Sequence, residues 1–197
     1  MRSLPEDFRF AAEAVAIGAS AGGIEALFSL LDELQPPVHA PILIVLHLPD
    51  GHESRLVDVF TKRMRVPVEE AQPHAPVAEG KVYFAPAGYH LLVEQDRTFS
   101  LSCDGAVLFS RPSIDVLLES CADAYGPGLA GFVLTGASED GARGLARIKA
   151  LGGLTAAQDP EDAAHRTMPQ AAIDAADPDY VLPLAGLRHL LHTVVSR

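Results

Sequence analysis

The chain has 197 residues, 15 of them Lys or Arg and 26 Asp or Glu, for a formal net charge of −11 at pH 7. The basic residues form no extended positive stripe of the kind a nucleic-acid partner requires, which puts that class of partner far down; an acidic surface of this kind serves ordinary solubility. With 48% apolar residues, the chain can bury a sizeable core without metal or disulfide staples.

Read from the start, residues 1–10 carry Arg2, Glu6, Asp7 and Arg9 and so lack the apolar centre of a signal peptide. No later stretch approaches the roughly 18 apolar residues of a membrane span. No membrane insertion is expected, and the cytoplasm is the default location. Residues 14–17 form a short apolar strand that stops at Gly18. Beyond Gly23, Ile24, Leu27, Phe28, Leu31 and Leu34 recur on one face of a helix. Residues 41–46 are continuously apolar, as in a parallel strand covered on both faces, and Leu56, Val59 and Phe60 return to helical spacing.

Further along, residues 82–85 predict a strand, and 91–93 with 98–101 predict an antiparallel hairpin around Gln95-Asp96-Arg97. Ser113 is placed to cap a helix running to about residue 124. Strands are expected at 132–135, 154–157 and 180–182. Between them lie a helix that contains Leu145 and Ile148 and ends at Gly152-Gly153, and another with Pro169 in its first turn. Leu184, Leu187, Leu191 and Val194 mark a final helix. This alternation is the α/β signature, and with no repeat, low-complexity segment or linker it predicts one domain over residues 1–197, its core at about 14–190. Cys103 and Cys121 lack CxxC or metal-ligand spacing and read as small buried hydrophobes.

Three positions carry candidate chemistry. Gly18-Ala19-Ser20-Ala21-Gly22 matches G-x-S-x-G between a predicted strand and helix, the context in which glycines let the chain turn and lift a nucleophilic hydroxyl above the strand ends. A phosphate loop would need Gly-Lys-Ser/Thr, and a dinucleotide loop would need glycine at position 20. His47 ends the buried 41–46 strand, on the side where open α/β sheets place their sites, and suits a general base for Ser20. Asp140, after the 132–135 strand, could orient that histidine, or simply cap a helix; Glu139 is a lesser candidate. His165 offers an alternative base in the order Ser–Asp–His, and His90 either lines the pocket or makes a structural hydrogen bond. His39, His52, His74, His189 and His192 read as loop or surface residues, and no spacing supports a catalytic metal.

Taken together, Gly18-Ala19-Ser20-Ala21-Gly22-Gly23 and Pro41-Ile42-Leu43-Ile44-Val45-Leu46-His47 resemble the opening motifs of the catalytic domain of chemotaxis-receptor methylesterases. The resemblance continues through Val82-Tyr83-Phe84-Ala85-Pro86, His90-Leu91-Leu92-Val93, Arg111-Pro112-Ser113-Ile114-Asp115-Val116-Leu117, Leu134-Thr135-Gly136 with Asp140-Gly141, Gly152-Gly153 to Gln158-Asp159, and Met168-Pro169. It implies a doubly wound, mostly parallel sheet flanked by helices in three layers, with a small antiparallel hairpin. It also implies Ser20 as nucleophile, His47 as base and Asp140 as its partner, favouring His47 over His165.

The activity implied is hydrolysis of glutamyl γ-methyl esters on chemoreceptor cytoplasmic helices, with release of methanol, no cofactor and possible glutamine deamidation. Backbone N–H groups of Ala21 and Ala137 would hold the oxyanion, and His90, Arg111 and Met168 are candidate cleft residues. Ala21 stands where many members have threonine, Ala137-Ser138 replaces Met-Gly, and Thr167 replaces a glycine. Many members carry a receiver domain ahead of the esterase. With the first strand expected at residue 14, none is expected within this chain, and regulation would fall to a separate protein. The same triad on a different ester, or a catalytically weak receptor-binding domain, are the competing expectations.

Overall fold

Strands covered on both faces leave no alternation in sequence, and the four longest strands of the main sheet are buried at every position: β1 (Ala14–Ala19), β2 (Ile42–Leu46), β7 (Leu129–Val133) and β8 (Leu154–Gln158). The computed structural model describes residues 8–47 and 55–196, so the expectations for His52 and for the first seven residues lie outside it. The four strands form the centre of a seven-stranded sheet of order β3-β4-β2-β1-β7-β8-β9, completed by β3 (Val68–Glu70), β4 (Val82–Phe84) and β9 (Tyr180–Leu182). Every pairing in this sheet is parallel. A separate antiparallel hairpin is formed by β5 (His90–Val93) and β6 (Phe99–Ser102).

Helices cover both faces. On one, Leu27 and Leu30 of α1 (Gly23–Leu31), Phe60 of α2 (Leu56–Thr61) and Leu187, Leu191 and Val194 of α6 (Leu184–Val195) pack over Val15, Ile17, Ile42 and Ile44. On the other, Ile114 and Leu117 of α3 (Ile114–Tyr125), Leu145 and Ile148 of α4 (Ala142–Ala150) and Met168 and Ala172 of α5 (Thr167–Ala176) pack with the hairpin over Ala14, Ala16, Leu43 and Val45. This is the doubly wound three-layer arrangement expected. No helix among the described residues is long and apolar enough to cross a membrane.

The order of strands fixes where a site can form. From β1 the chain winds outward through β2 towards β4, then returns to place β7 on the opposite side of β1. Direction reverses at β1, and the crevice at such a switch point opens at the strands' carboxyl ends. Register brings three ends level: Ala19 lies opposite Leu46, and Gly18 opposite Val133. Ser20, His47 and Thr135 therefore leave the sheet side by side.

Several local expectations need correction. Ile24 and Val59, assigned to apolar helix faces, are exposed, as is Cys103, while Cys121 is buried. The strand expected at 132–135 begins three residues earlier and ends at Val133, which leaves Thr135 in the turn beyond it. β3 carries two glutamates in three residues at the sheet's edge, a pattern that protects an edge and hides a strand.

Candidate active site

Ser20 stands at the first residue past β1, in a turn closed by the Gly23 N–H donating to the Ser20 carbonyl at 2.7 Å. Gly22 adopts a φ of 77°, a left-handed value that a side chain would resist. A Cβ on Gly18 would lie 2.2 Å from Ile114 Cγ2, so glycine there lets α3 approach the base of the turn. Thr135 ties this turn to the one after β7. Its carbonyl accepts from the Ser20 N–H at 3.0 Å, and its hydroxyl donates to the Ala21 carbonyl at 3.0 Å. The Ser20 hydroxyl has no hydrogen-bond partner among the described residues, and the N–H groups of Ala21 and Ala137 likewise have no acceptor there.

His47 is held to the same turn through its own N–H, which donates to the Ala19 carbonyl at 3.1 Å. Its ring Nε2 lies 2.9 Å from Asp140 Oδ2, across 93 residues of chain. Asp140 is fully buried. Besides His47, its carboxylate accepts from the Ile114 N–H at 2.7 Å, the Asp115 N–H at 2.9 Å and the Ser113 hydroxyl at 2.9 Å. Burial alone would raise the Asp140 carboxyl; the bonds from His47, Asp115, Ile114 and Ser113 outweigh it and hold it below its usual range. An ionised acceptor at Nε2 places the ring's proton there and leaves Nδ1 as the lone-pair nitrogen. Nδ1 faces the hydroxyl of Ser110 at 3.3 Å.

Asp140 therefore caps a helix, though the helix is α3 and not the α4 that follows it in sequence. The favour is returned. Asp115, in the first turn of α3, accepts from the N–H groups of Gly141 and Gly144 at the start of α4, both at 2.9 Å, and from Arg143 Nε at 3.0 Å. Two buried carboxylates thus each satisfy the orphan N–H groups of the other's helix.

The remaining candidates are spread more widely. His90 is buried with both ring nitrogens engaged: Nδ1 accepts from the Ser113 N–H and Nε2 donates to the Gly105 carbonyl, each at 3.1 Å. Arg111 is exposed, and its guanidinium donates to the carbonyls of Cys103 and Asp104 at 2.9 and 3.0 Å. Met168 is fully buried against Gly136, where a Cβ would meet its sulfur at 2.6 Å. His165 meets the site through its backbone, donating to the Thr135 hydroxyl at 2.8 Å, while its side chain is exposed. Glu139 is exposed and Ala137 stands beside it on the open side of the turn.

The sequence model for CheB methylesterase matches residues 15–191. The chain belongs to the CheB methylesterase family. A putative protein-glutamate methylesterase/protein-glutamine glutaminase of Leptospira interrogans is 44% identical over 178 residues, covering 90% of this chain and 92% of that protein. The protein-glutamate methylesterase FrzG of Myxococcus xanthus is 38% identical over 173 residues, 88% of this chain and 52% of FrzG, so the chain spans about half of that relative. Among solved structures, the CheB methylesterase catalytic domain of Thermotoga maritima superposes with a TM-score of 0.88 at 30% identity, over 94% of this chain and all of that one.

Proposed function

We propose that this chain is a protein-glutamate methylesterase acting in the cytoplasm on methylated chemoreceptor helices, with Ser20 as nucleophile, His47 as base and Asp140 as the carboxylate that orients the base. The observation that carries this reading is the 2.9 Å bond from His47 to a buried, four-fold bonded Asp140 at the crevice mouth where the Ser20 turn also stands. The names borne by the relatives supply the substrate class.

In this scheme Ser20 attacks the ester carbonyl while His47 Nδ1 takes its proton, and the unengaged N–H groups of Ala21 and Ala137 receive the developing oxyanion. Each such donor is worth roughly 3–4 kcal/mol in the transition state. Nδ1 then returns the proton to the departing methanol. Water repeats the cycle on the acyl-enzyme and leaves glutamate. A glutamine side chain would follow the same path with ammonia as leaving group. Asp140 remains ionised throughout and stabilises the imidazolium.

Methanol release from methyl-labelled receptor, compared with the Ser20→Ala variant, tests the reading. Loss of at least about a thousandfold in the variant is the expected result. Release that persists without the serine would sink the assignment.

A further inference from the structure

We infer that Ser110 is a positioning residue: its hydroxyl holds the base nitrogen of His47 in the free protein and yields it to Ser20 when substrate is bound. The inference rests on the assignment of Ser20 and His47 above and adds a competitor for the lone pair they share. With Nε2 committed to Asp140, Nδ1 is the ring's single acceptor, and the hydroxyl that reaches it is that of Ser110, at 3.3 Å. The Ser20 hydroxyl meanwhile has no partner among the described residues. A contact of 3.3 Å is long for a hydroxyl donor, so it steadies the ring yet gives way readily.

The segment carrying Ser110 is pinned at its base and exposed at its tip. Its foot is pinned by His90 Nε2 on the Gly105 carbonyl and by the Arg111 guanidinium on the Cys103 and Asp104 carbonyls. Its tip is a tight turn in which Val107 and Ser110 exchange both backbone hydrogen bonds, at 3.1 and 2.9 Å. Between them Leu108 and Phe109 hold left-handed φ values of 46° and 66°, which non-glycine residues adopt only under constraint. Both side chains are exposed, Phe109 fully so. A protein substrate that seats against this exposed apolar tip and shifts it carries the Ser110 hydroxyl off Nδ1.

Labelling of Ser20 by a fluorophosphonate, followed in the full chain, reads the competition directly. Ser110→Ala is expected to label roughly two- to tenfold faster, the gain from removing one ordinary hydrogen bond, while Ser110→Thr stays near the parent rate. The 15N resonance of His47 Nδ1 is expected to move towards its unbonded position in Ser110→Ala and to return in Ser110→Thr. Labelling that is unchanged or slower in Ser110→Ala, or an Nδ1 resonance indifferent to the substitution, overturns the inference. If the parent protein is not labelled at Ser20 while Nδ1 still responds to Ser110→Ala, the nucleophile assignment falls, and this inference with it.

Discussion

Asp140 joins the fold to the proposed chemistry in one side chain. Its carboxylate must be ionised to accept from His47, Ser113 and two N–H groups at once, and the protein lowers its titration to keep it so. A carboxyl depressed in the folded state contributes stability that is fully present above its unfolded value and is lost as pH falls through the lower folded value. Acid unfolding should therefore flatten in Asp140→Asn relative to the parent below the ordinary carboxylate range, as followed by circular dichroism against pH. The same variant should lose on the order of a thousandfold in ester hydrolysis at neutral pH, because an amide no longer dictates the tautomer. Of the residues around this carboxylate, His47 was legible from the strand end. Ser110 was not: it follows Val107-Leu108-Phe109, which carries no motif, and its partner lies 63 residues away.

The crossed capping of α3 and α4 makes the element, and not the loop, the unit that aligns the site. Asp115 anchors the start of α4 at Gly141, adjacent to Asp140, and Asp140 anchors the start of α3. Asp115→Ala should cost about 1–3 kcal/mol in a denaturant melt, the penalty of leaving buried donors unpaired. It should also lower kcat with little change in KM, since Asp140 shifts while the open side of the crevice stays intact. This pairing was invisible in sequence because each aspartate looks like a first-turn residue of its own helix. Most elements were legible where period and punctuation agreed, as in the 180–182 strand and the Ser113 cap, whose hydroxyl accepts from the Val116 N–H at 3.4 Å. Exposure on α1 and α2 was less so: Ile24 and Val59 obey helical spacing, yet both stand exposed among the described residues.

Over the whole molecule, the sheet divides two apolar layers that share no surface with solvent at their centres. Cys121 lies on the buried face of α3, and burial pushes its thiol well above the ordinary value. Native protein should accordingly react with maleimide at Cys103 alone, and Cys121 should label only at the rate of global opening, which mass spectrometry of timed samples would measure. The same architecture governs how copies of this gene would decay. A lineage that no longer needed hydrolysis would be free to drift at Ser20, whose hydroxyl bonds to nothing among the described residues. It would still be compelled to keep Asp140, because its carboxylate caps α3 from the turn that leads into α4. An aspartate at that position in a descendant is thus evidence of inherited architecture, whereas under the proposed assignment it is the serine that marks a working enzyme.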